Sequence, residues 1–239
     1  MASKPILFNT EMVRAILDGR KTMTRRVIKK IPNHMHCGKN IMDWDLSGVG
    51  ELKEGVLEFS VQCDVDDFYT DYAVASYRPG DILWVRETWS RDESGEYVYR
   101  TNYGTTEDDS FPPSMFKWKP SIHMPREAAR IFLRVTNVRV ERLKKITLED
   151  IKKEGIKATG AWDCMDYLDA FAELWDSIYA EPKAVINKEG EILYYESYPW
   201  EDIQETKEYK GKPWYVHGNP WVWVYEFERV SEDGSSKDE

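Results

Sequence analysis

The alternation of apolar and polar positions along the chain predicts a protein built mainly of strands, with a few short helices. Between residues 57 and 63 apolar and polar side chains alternate with the period that a half-buried strand has. Residues 82–89 are apolar through their first half and follow a turn signal at 78–81. Residues 221–228 carry aromatic side chains at every second position, which puts these rings on one face of a strand. We interpret that face as sheet core, with base stacking as the alternative.

Two further strand patterns carry more detailed predictions. In residues 131–143 the apolar positions change phase once, so we expect a bulge or bend near residues 136–137. Residues 96–100 are expected to form a hairpin with the strand at 82–89, across a turn at 92–95.

Three segments have the apolar spacing of amphipathic helices. The first covers residues 10–18, with Thr10 as the expected N-cap and Gly19 as the residue that ends the helix. The second covers 147–155 and begins with a capping box. The third and longest covers 165–179.

The order of these elements predicts a mixed fold of the α+β class. Strands outnumber helices and the two do not alternate regularly, which favours a β-barrel with peripheral helices over a doubly wound sheet. We find no internal repeat and no linker, so residues 1–230 are expected to form a single domain. Residues 231–239 are polar and charged and are expected to be a disordered tail.

The charge of the chain is strongly uneven. The net charge of the 239 residues is −10, which argues against indiscriminate binding to nucleic acid. Residues 14–30 nevertheless carry seven basic side chains against one acid, and residues 126–145 carry seven against two. Two basic patches on an acidic body suit a small anionic or nucleotide-like ligand. The alternative is that they are solvated strand edges, where basic side chains prevent misplaced pairing.

The sequence also predicts the cellular compartment of the protein. Its three cysteines are widely spaced and odd in number, so no disulfide framework is implied. No apolar run approaches the roughly 20 residues that a membrane span needs, and the first residues lack a signal-peptide pattern. We therefore expect a cytoplasmic protein that does not bind membranes.

Chemistry is concentrated in residues 19–26, Gly-Arg-Lys-Thr-Met-Thr-Arg-Arg. A threonine hydroxyl is a poor nucleophile without a base, and a lysine whose pKa is lowered by neighbouring cations can be that base. Lys21 and Thr24 would point to opposite faces of a regular strand, so their pairing requires Lys21 to lie in the turn before the strand. Thr22, Thr24 and Arg26 share one face. The alternative is a solvated basic strand.

A second chemical position is Glu87. It follows the apolar residues 82–85 and stands beside Arg86. A carboxylate at the inner end of a barrel strand is costly unless it has a partner, and Lys21 or Arg26 are the candidate partners. An ordinary structural ion pair is the alternative to a catalytic role.

Metal binding has weak support. His34, His36 and Cys37 are metal-ligand types, but their spacing does not match a usual zinc site, and Cys63 or Cys164 would have to complete it. We expect neither a metal nor a cofactor.

The motif Gly19-x-Lys21-Thr22-x-Thr24-x-Arg26, followed by Pro-Gly-Asp at 79–81 and Val-Arg-Glu-Thr-Trp at 85–89, resembles the ASCH domain family of the PUA-like superfamily. The resemblance covers residue 5 to about residue 30 and residues 78–230. Segments of about 33–77 and 180–218 are expected to be insertions relative to the shorter members. Longer members of this arrangement are similar to proteins encoded in phages and prophages.

The resemblance implies a PUA-like β-barrel with a cleft and a nucleoside or single-stranded RNA as partner. One bacterial branch of the family hydrolyses the acetyl amide of N4-acetylcytidine with a Lys, a Thr and a Glu, which correspond here to Lys21, Thr24 and Glu87. In that interpretation Lys21 activates Thr24 or a water, and Glu87 orients Lys21. The substrate-binding residues would then be those around the same turn and strand end: Gly19, Thr22, Arg26, Arg86 and Trp89.

Two other functions stay open. One is a non-catalytic RNA-binding module. The other is a phage accessory protein whose insertions form a protein interface, although the sequence identifies no protein partner.

Overall fold

The computed structural model describes residues 2–29, 34–35, 49–64, 67–103, 115–157, 164–209, 212–216 and 218–235. Within these residues the fold has fifteen strands and three α-helices, so it is a mixed α/β fold made mostly of strands, as predicted. The helices are α1 (Thr10–Leu17), α2 (Leu148–Lys153) and α3 (Cys164–Tyr179). The strands are β1 (Ser3–Leu7), β2 (Met23–Val27), β3 (His34–Met35), β4 (Val49–Lys53), β5 (Val56–Asp64), β6 (Asp67–Val74), β7 (Ile82–Arg86), β8 (Trp89–Arg91), β9 (Tyr97–Tyr99), β10 (Phe132–Arg142), β11 (Lys183–Ile186), β12 (Ile192–Glu196), β13 (Ile203–Tyr209), β14 (Lys212–Val216) and β15 (Trp221–Val230).

The central sheet has five strands in the order β1-β7-β10-β15-β2. β1 runs parallel to β7, and the other neighbours are antiparallel. The apolar side chains of β7, β10 and β15 form the core on the two faces of this sheet, where α1 covers one cluster and α2 with α3 covers another. Of the aromatic face of β15, Trp223, Tyr225 and Phe227 are buried in the core, as expected, and Trp221 is partly buried.

The sheet curls but does not close into a hydrogen-bonded barrel. β1 and β2 are its two edges, and in the part of the chain that the structure describes no backbone ladder joins them. Side chains bridge the gap instead, since Arg26 Nη2 on β2 donates to the carbonyl of Leu7 on β1 at 2.8 Å. Tyr77 Oη also donates to β1, at 2.8 Å from the carbonyl of Pro5.

The strand patterns are confirmed with one correction. The register of β10 against β15 shifts between Val135 and Asn137, which is the predicted bulge. The hairpin across residues 92–95 exists, but β9 pairs with the short strand β8 and not with β7. The reason is that β7 ends at Arg86, and the chain turns before β8 begins at Trp89.

The helix ends are mostly as predicted. The N-cap of α1 is Asn9 and not Thr10, because Asn9 Oδ1 accepts from the amide of Met12 at 2.8 Å. Gly19 has a φ of +73° and ends the helix as expected. Thr147 caps α2 by accepting from the amide of Asp150. No helix among the described residues is both long and apolar enough to cross a bilayer.

The two segments predicted as insertions contain small sheets of their own. β4, β5 and β6 form one antiparallel sheet. β11 and β12 form a hairpin around the predicted turn at 187–190, and β13, β14 and β3 form a third sheet. In the segment predicted as a disordered tail, residues 231–235 make a turn in which the Ser231 amide donates to the Ser235 carbonyl at 2.9 Å. Residues 236–239 lie outside the described residues.

Asp81 fastens the start of β7 to β1. Its carboxylate accepts from Lys4 Nζ at 2.8 Å, from the Arg78 amide at 3.0 Å and from the Ala2 amide at 3.2 Å. Desolvation acts to raise the pKa of this carboxyl, but the hydrogen bonds and the Lys4 charge outweigh it, and the pKa lies below its ordinary 3.8.

Asp81→Asn is expected to lower the free energy of unfolding at neutral pH by about 1.5–3 kcal/mol, the range for hydrogen bonds to a charged group. Because the pKa of Asp81 is lowered in the folded state, its contribution is complete above pH 3.8 and is lost as the pH falls through the folded value. In urea unfolding across this pH range, the free energy of unfolding should fall steeply with decreasing pH in the wild type and less steeply in Asp81→Asn. Asp169→Asn, which changes an exposed acid on α3, should keep the wild-type pH dependence. The same pH dependence in all three proteins would remove this role of Asp81.

Candidate functional site

The turn between α1 and β2 holds Lys21 in the interior. The side chain of Lys21 has 0% exposure, and its Nζ donates to Glu154 Oε2 at 2.7 Å and to the Glu154 carbonyl at 2.9 Å. Backbone hydrogen bonds hold the turn in this position, because the Lys21 amide donates to the Ala15 carbonyl and the Thr22 amide donates to the Lys153 carbonyl. Lys21 therefore lies in the turn before the strand, as the pairing argument required, and it joins the end of α1 to the end of α2.

Gly155 allows α2 to approach this turn closely. Its φ is +89°, and a Cβ built on it would lie 2.7 Å from the Ala15 Cβ and 3.0 Å from the Lys21 Cβ. A larger residue would push α2 away from the turn. The glycine thus positions Glu154, its neighbour in sequence, against the Lys21 amine.

The charges around the Lys21 amine are shared with Arg25. Arg25 Nη1 lies 3.4 Å from Glu154 Oε1, and Nη2 lies 2.8 Å from Asp150 Oδ2 and 3.1 Å from Glu141 Oε2. Desolvation by burial lowers the pKa of Lys21 below 10.5, Glu154 opposes this shift, and the neighbouring arginines add to it. At a given pH, a larger fraction of this amine is therefore neutral and able to accept a proton than of an exposed lysine.

Glu87 lies elsewhere and has different partners from those predicted. It is buried just after β7, where Arg130 Nε donates to Oε1 at 2.9 Å and Arg130 Nη2 to Oε2 at 3.0 Å. Thr101 Oγ1 also donates to Oε2, at 2.7 Å. The expected ion pair with Lys21 or Arg26 is not formed, because the backbone bond from Val85 to Ile131 brings Arg130 beside Glu87.

Thr24 lies in β2, buried and directly opposite Tyr225 of β15. Thr22, two residues earlier, is exposed. Together with Gly19 it lines a cavity of about 550 Å³ between the end of α1 and the end of β15.

The Arg26 side chain is partly exposed to solvent, unlike the buried Lys21 and Arg25. It is half-buried, its Cζ lies 5.4 Å from the centre of the Phe8 ring, and Lys21 Nζ lies 5.6 Å from the same centre. Phe8 thus contacts both cations. Among the described residues no carboxylate lies within ion-pair distance of Arg26, whose hydrogen bond goes to the neutral Leu7 carbonyl.

A cavity of about 400 Å³ opens beside Arg26. Tyr77 and Tyr225 meet edge to face in its wall, with ring centres 5.0 Å apart, and Trp223 adds a third ring. Burial raises the pKa of Tyr225 to about 12, so its hydroxyl stays neutral, and it accepts from the Ser76 amide at 3.2 Å. Among the described residues, the cavity combines Arg26, which has no acidic partner, with aromatic side chains and neutral hydroxyl groups, and its second cation, Lys29, pairs with Glu196 at 3.5 Å.

The two remaining predicted binding residues do not line this cavity. Arg86 stacks on Trp84, with its Cζ 4.7 Å from the ring centre. Trp89 is buried in a cluster with Met124 and Ala128, so it is a core residue, although Lys119 covers its ring at 4.7 Å. Both keep a buried nitrogen without a hydrogen-bond partner in the described structure, Arg86 Nε and Trp89 Nε1.

The described residues contain no group of three or more His, Cys, Asp or Glu side chains that could hold a metal ion. Of the three residues considered for a metal, His34 belongs to β3, and His36 and Cys37 lie outside the described residues.

Glu154 is the residue that the sequence analysis missed. One signal was present, because Glu154 stands at the C-terminal end of α2, where the helix dipole disfavours an anion. An acid in that position indicates a specific cationic partner.

Comparisons with protein-family models, with curated proteins and with solved structures found no match for this chain.

Proposed function

We propose that this protein is a PUA-like barrel, open between β1 and β2, that binds a nucleoside or an unpaired RNA base beside Arg26. The hydrogen bond from Arg26 on β2 to the Leu7 carbonyl on β1 supports this description of the fold, because it brings the two edge strands together across a gap. The cavity next to Arg26 is lined by residues of β2 and β15 and by the residues that end and follow β6.

The observation that carries the proposal is the state of Arg26. A half-buried guanidinium without a carboxylate partner in the described structure is available for a ligand, and a planar fork of donors suits a carbonyl or an anionic group. Cytosine offers such a carbonyl. Tyr77 supplies aromatic surface for the ring, the buried Tyr225 and Trp223 lie behind it in the cavity wall, and the volume of about 400 Å³ falls in the usual range for small-ligand sites.

Binding of cytidine and N4-acetylcytidine, followed by tryptophan fluorescence, tests this proposal. Arg26→Gln is expected to weaken binding about tenfold or more, because a hydrogen bond to a charged group contributes about 1.5–3 kcal/mol. Arg91→Gln is the matched control, since Arg91 is an exposed arginine on β8 that donates to the Gly95 carbonyl and to the Tyr97 hydroxyl. Equal affinity in all three proteins, or no binding by the wild type, would contradict the proposal.

A second function, hydrolysis of the acetyl amide of N4-acetylcytidine, is favoured by the buried Lys21–Glu154 pair. Lys21 would take a proton from a water or from the Thr24 hydroxyl, and Glu154, instead of Glu87, would orient the amine. Attack of the water on the acetyl carbonyl breaks the C–N bond, and the proton passes to the leaving amine, giving cytidine and acetate directly. Attack by the Thr24 oxygen would instead release cytidine and leave an acetyl ester on Thr24, which a water must then hydrolyse to acetate and free Thr24. Because the Lys21 side chain is enclosed, Phe8 and Arg26 would have to move aside for the amide to reach it. Release of cytidine by the purified protein is the test.

A further inference from the structure

The same turn that buries Lys21 exposes a second, basic surface on its other side. Arg20 and Thr22 flank Lys21 in sequence and point away from the core. They line a cavity of about 530 Å³, separate from the cavity beside Arg26, together with residues from the end of α2 and the start of α3. We call this surface the basic pocket. Its polar and charged lining consists of Arg20, Thr22, Lys152, Lys153, Lys157 and Tyr167.

The charge of the basic pocket is unbalanced. It contains four cations and no acid among its described lining residues. Only Arg20 has a carboxylate partner there, the half-exposed Asp18 at 2.8 Å. Lys152, Lys153 and Lys157 are exposed and form no ion pair within the described structure, and Lys152 Nζ lies 5.6 Å from the centre of the Tyr167 ring. On a protein with a net charge of −10, such a cluster needs a specific reason.

Helix stabilisation accounts for only part of this cluster. Lysines in the last turn of a helix interact well with its dipole, and Lys152 and Lys153 occupy that turn of α2. Arg20 belongs to the α1–β2 turn and Lys157 lies beyond the end of α2, so neither is explained in this way. Four cations from two separate segments converge on one cavity, with an exposed threonine hydroxyl and the ring of Tyr167 beside them.

We propose that the basic pocket binds a backbone phosphate of single-stranded RNA whose unpaired base enters the cavity beside Arg26. This inference rests on the proposed function and makes it more specific, since it selects a polynucleotide over a free nucleoside. Lysine ammonium groups and the Arg20 guanidinium would contact phosphate oxygens, and the Thr22 hydroxyl is a further donor. The two sites lie at the two ends of β2, because the pocket includes Arg20 and Thr22 just before its start and Arg26 lies near its end.

The test compares cytidine, cytidine 5′-monophosphate and a short single-stranded RNA of mixed sequence as ligands of three proteins. The first is the wild type, and the second is the pocket variant Lys152→Gln/Lys153→Gln/Lys157→Gln. The third is a matched control, Lys53→Gln/Lys183→Gln/Lys188→Gln, which removes the same charge from exposed lysines on other parts of the surface.

The pocket variant is expected to bind the RNA at least tenfold more weakly than the wild type and the control at low salt, with cytidine binding unchanged. The dependence of log Kd on log salt should fall by about 0.7 for each lost phosphate contact. Cytidine monophosphate should bind the wild type little better than cytidine, because one phosphate next to the base does not span the two sites.

Other results would overturn the inference. An equal loss in the pocket and control variants would mean diffuse attraction without a site. Cytidine binding without RNA binding would remove the basic pocket but keep the proposed function, and a monophosphate that binds as tightly as the RNA would select a nucleotide instead. If the pocket variant loses RNA binding while cytidine binds none of the proteins, the base site fails and the phosphate site remains.

Discussion

Glu154→Leu is expected to lower the free energy of unfolding by about 3–5 kcal/mol, the usual cost of removing one partner of a buried ion pair. The substitution leaves the buried Lys21 ammonium without its carboxylate, and Arg25 loses one of its three acids. Urea unfolding of the wild type and the variant measures this difference. Glu149→Leu, at an exposed position in the first turn of the same helix, should cost no more than about 1 kcal/mol.

A double-variant cycle separates the pair from general damage to the fold. Lys21→Met alone should be destabilising for the same reason, whereas Lys21→Met/Glu154→Leu should recover much of the loss, because no unpaired charge of the pair remains. Additive losses in the double variant would mean that the two side chains do not depend on each other, and the central contact of the site would then be wrong.

Hydrolysis of N4-acetylcytidine is expected to fall by about 10²–10⁴-fold in Lys21→Met, the range that a general base contributes. Glu154→Gln should lose a large part of the rate as well, because the neutral amide no longer stabilises the ammonium that forms when Lys21 accepts a proton. Glu87→Gln should stay within a few-fold of the wild type, since its carboxylate is occupied by Arg130 and Thr101. Initial rates at saturating substrate, with thermal melting of each variant, make this comparison.

The two glutamates provide the control for each other, because both are buried and both receive the same acid-to-amide change. A folded Glu87→Gln without activity, beside an active Glu154→Gln, would restore Glu87 as the essential acid. No cytidine from the wild type would remove the catalytic function and keep the binding proposal. The wild-type rate should rise with pH through the pKa of Lys21, which burial lowers, because only the neutral amine accepts a proton.

Local features of the fold could be predicted from the sequence because their causes are local. The change of apolar phase in β10 is the bulge between Val135 and Asn137, and Thr147 caps α2 as its capping box requires. The cap of α1 was wrong by one residue, since Asn9 and Thr10 both offer a side-chain oxygen and only the three-residue spacing to Met12 decides between them.

The partners of the buried charges could not be predicted in this way. Lys21 and Glu154 are 133 positions apart in the sequence, and their contact depends on how closely α2 packs on the α1–β2 turn. The pairing of Glu87 with Arg130 likewise depends on the register of β10 against β7. The motif therefore indicated which side chains carry chemistry, and the tertiary packing decided which acid meets which base.

A crystal structure of the protein with N4-acetylcytidine or cytidine tests the central claim most directly. Our account predicts a pyrimidine ring in the cavity between β2 and the segment that leads into β7, against Tyr77, with its carbonyl oxygen within hydrogen-bond distance of the Arg26 guanidinium. A ring bound at another surface, or an empty cavity at a ligand concentration that saturates the fluorescence change, would contradict it.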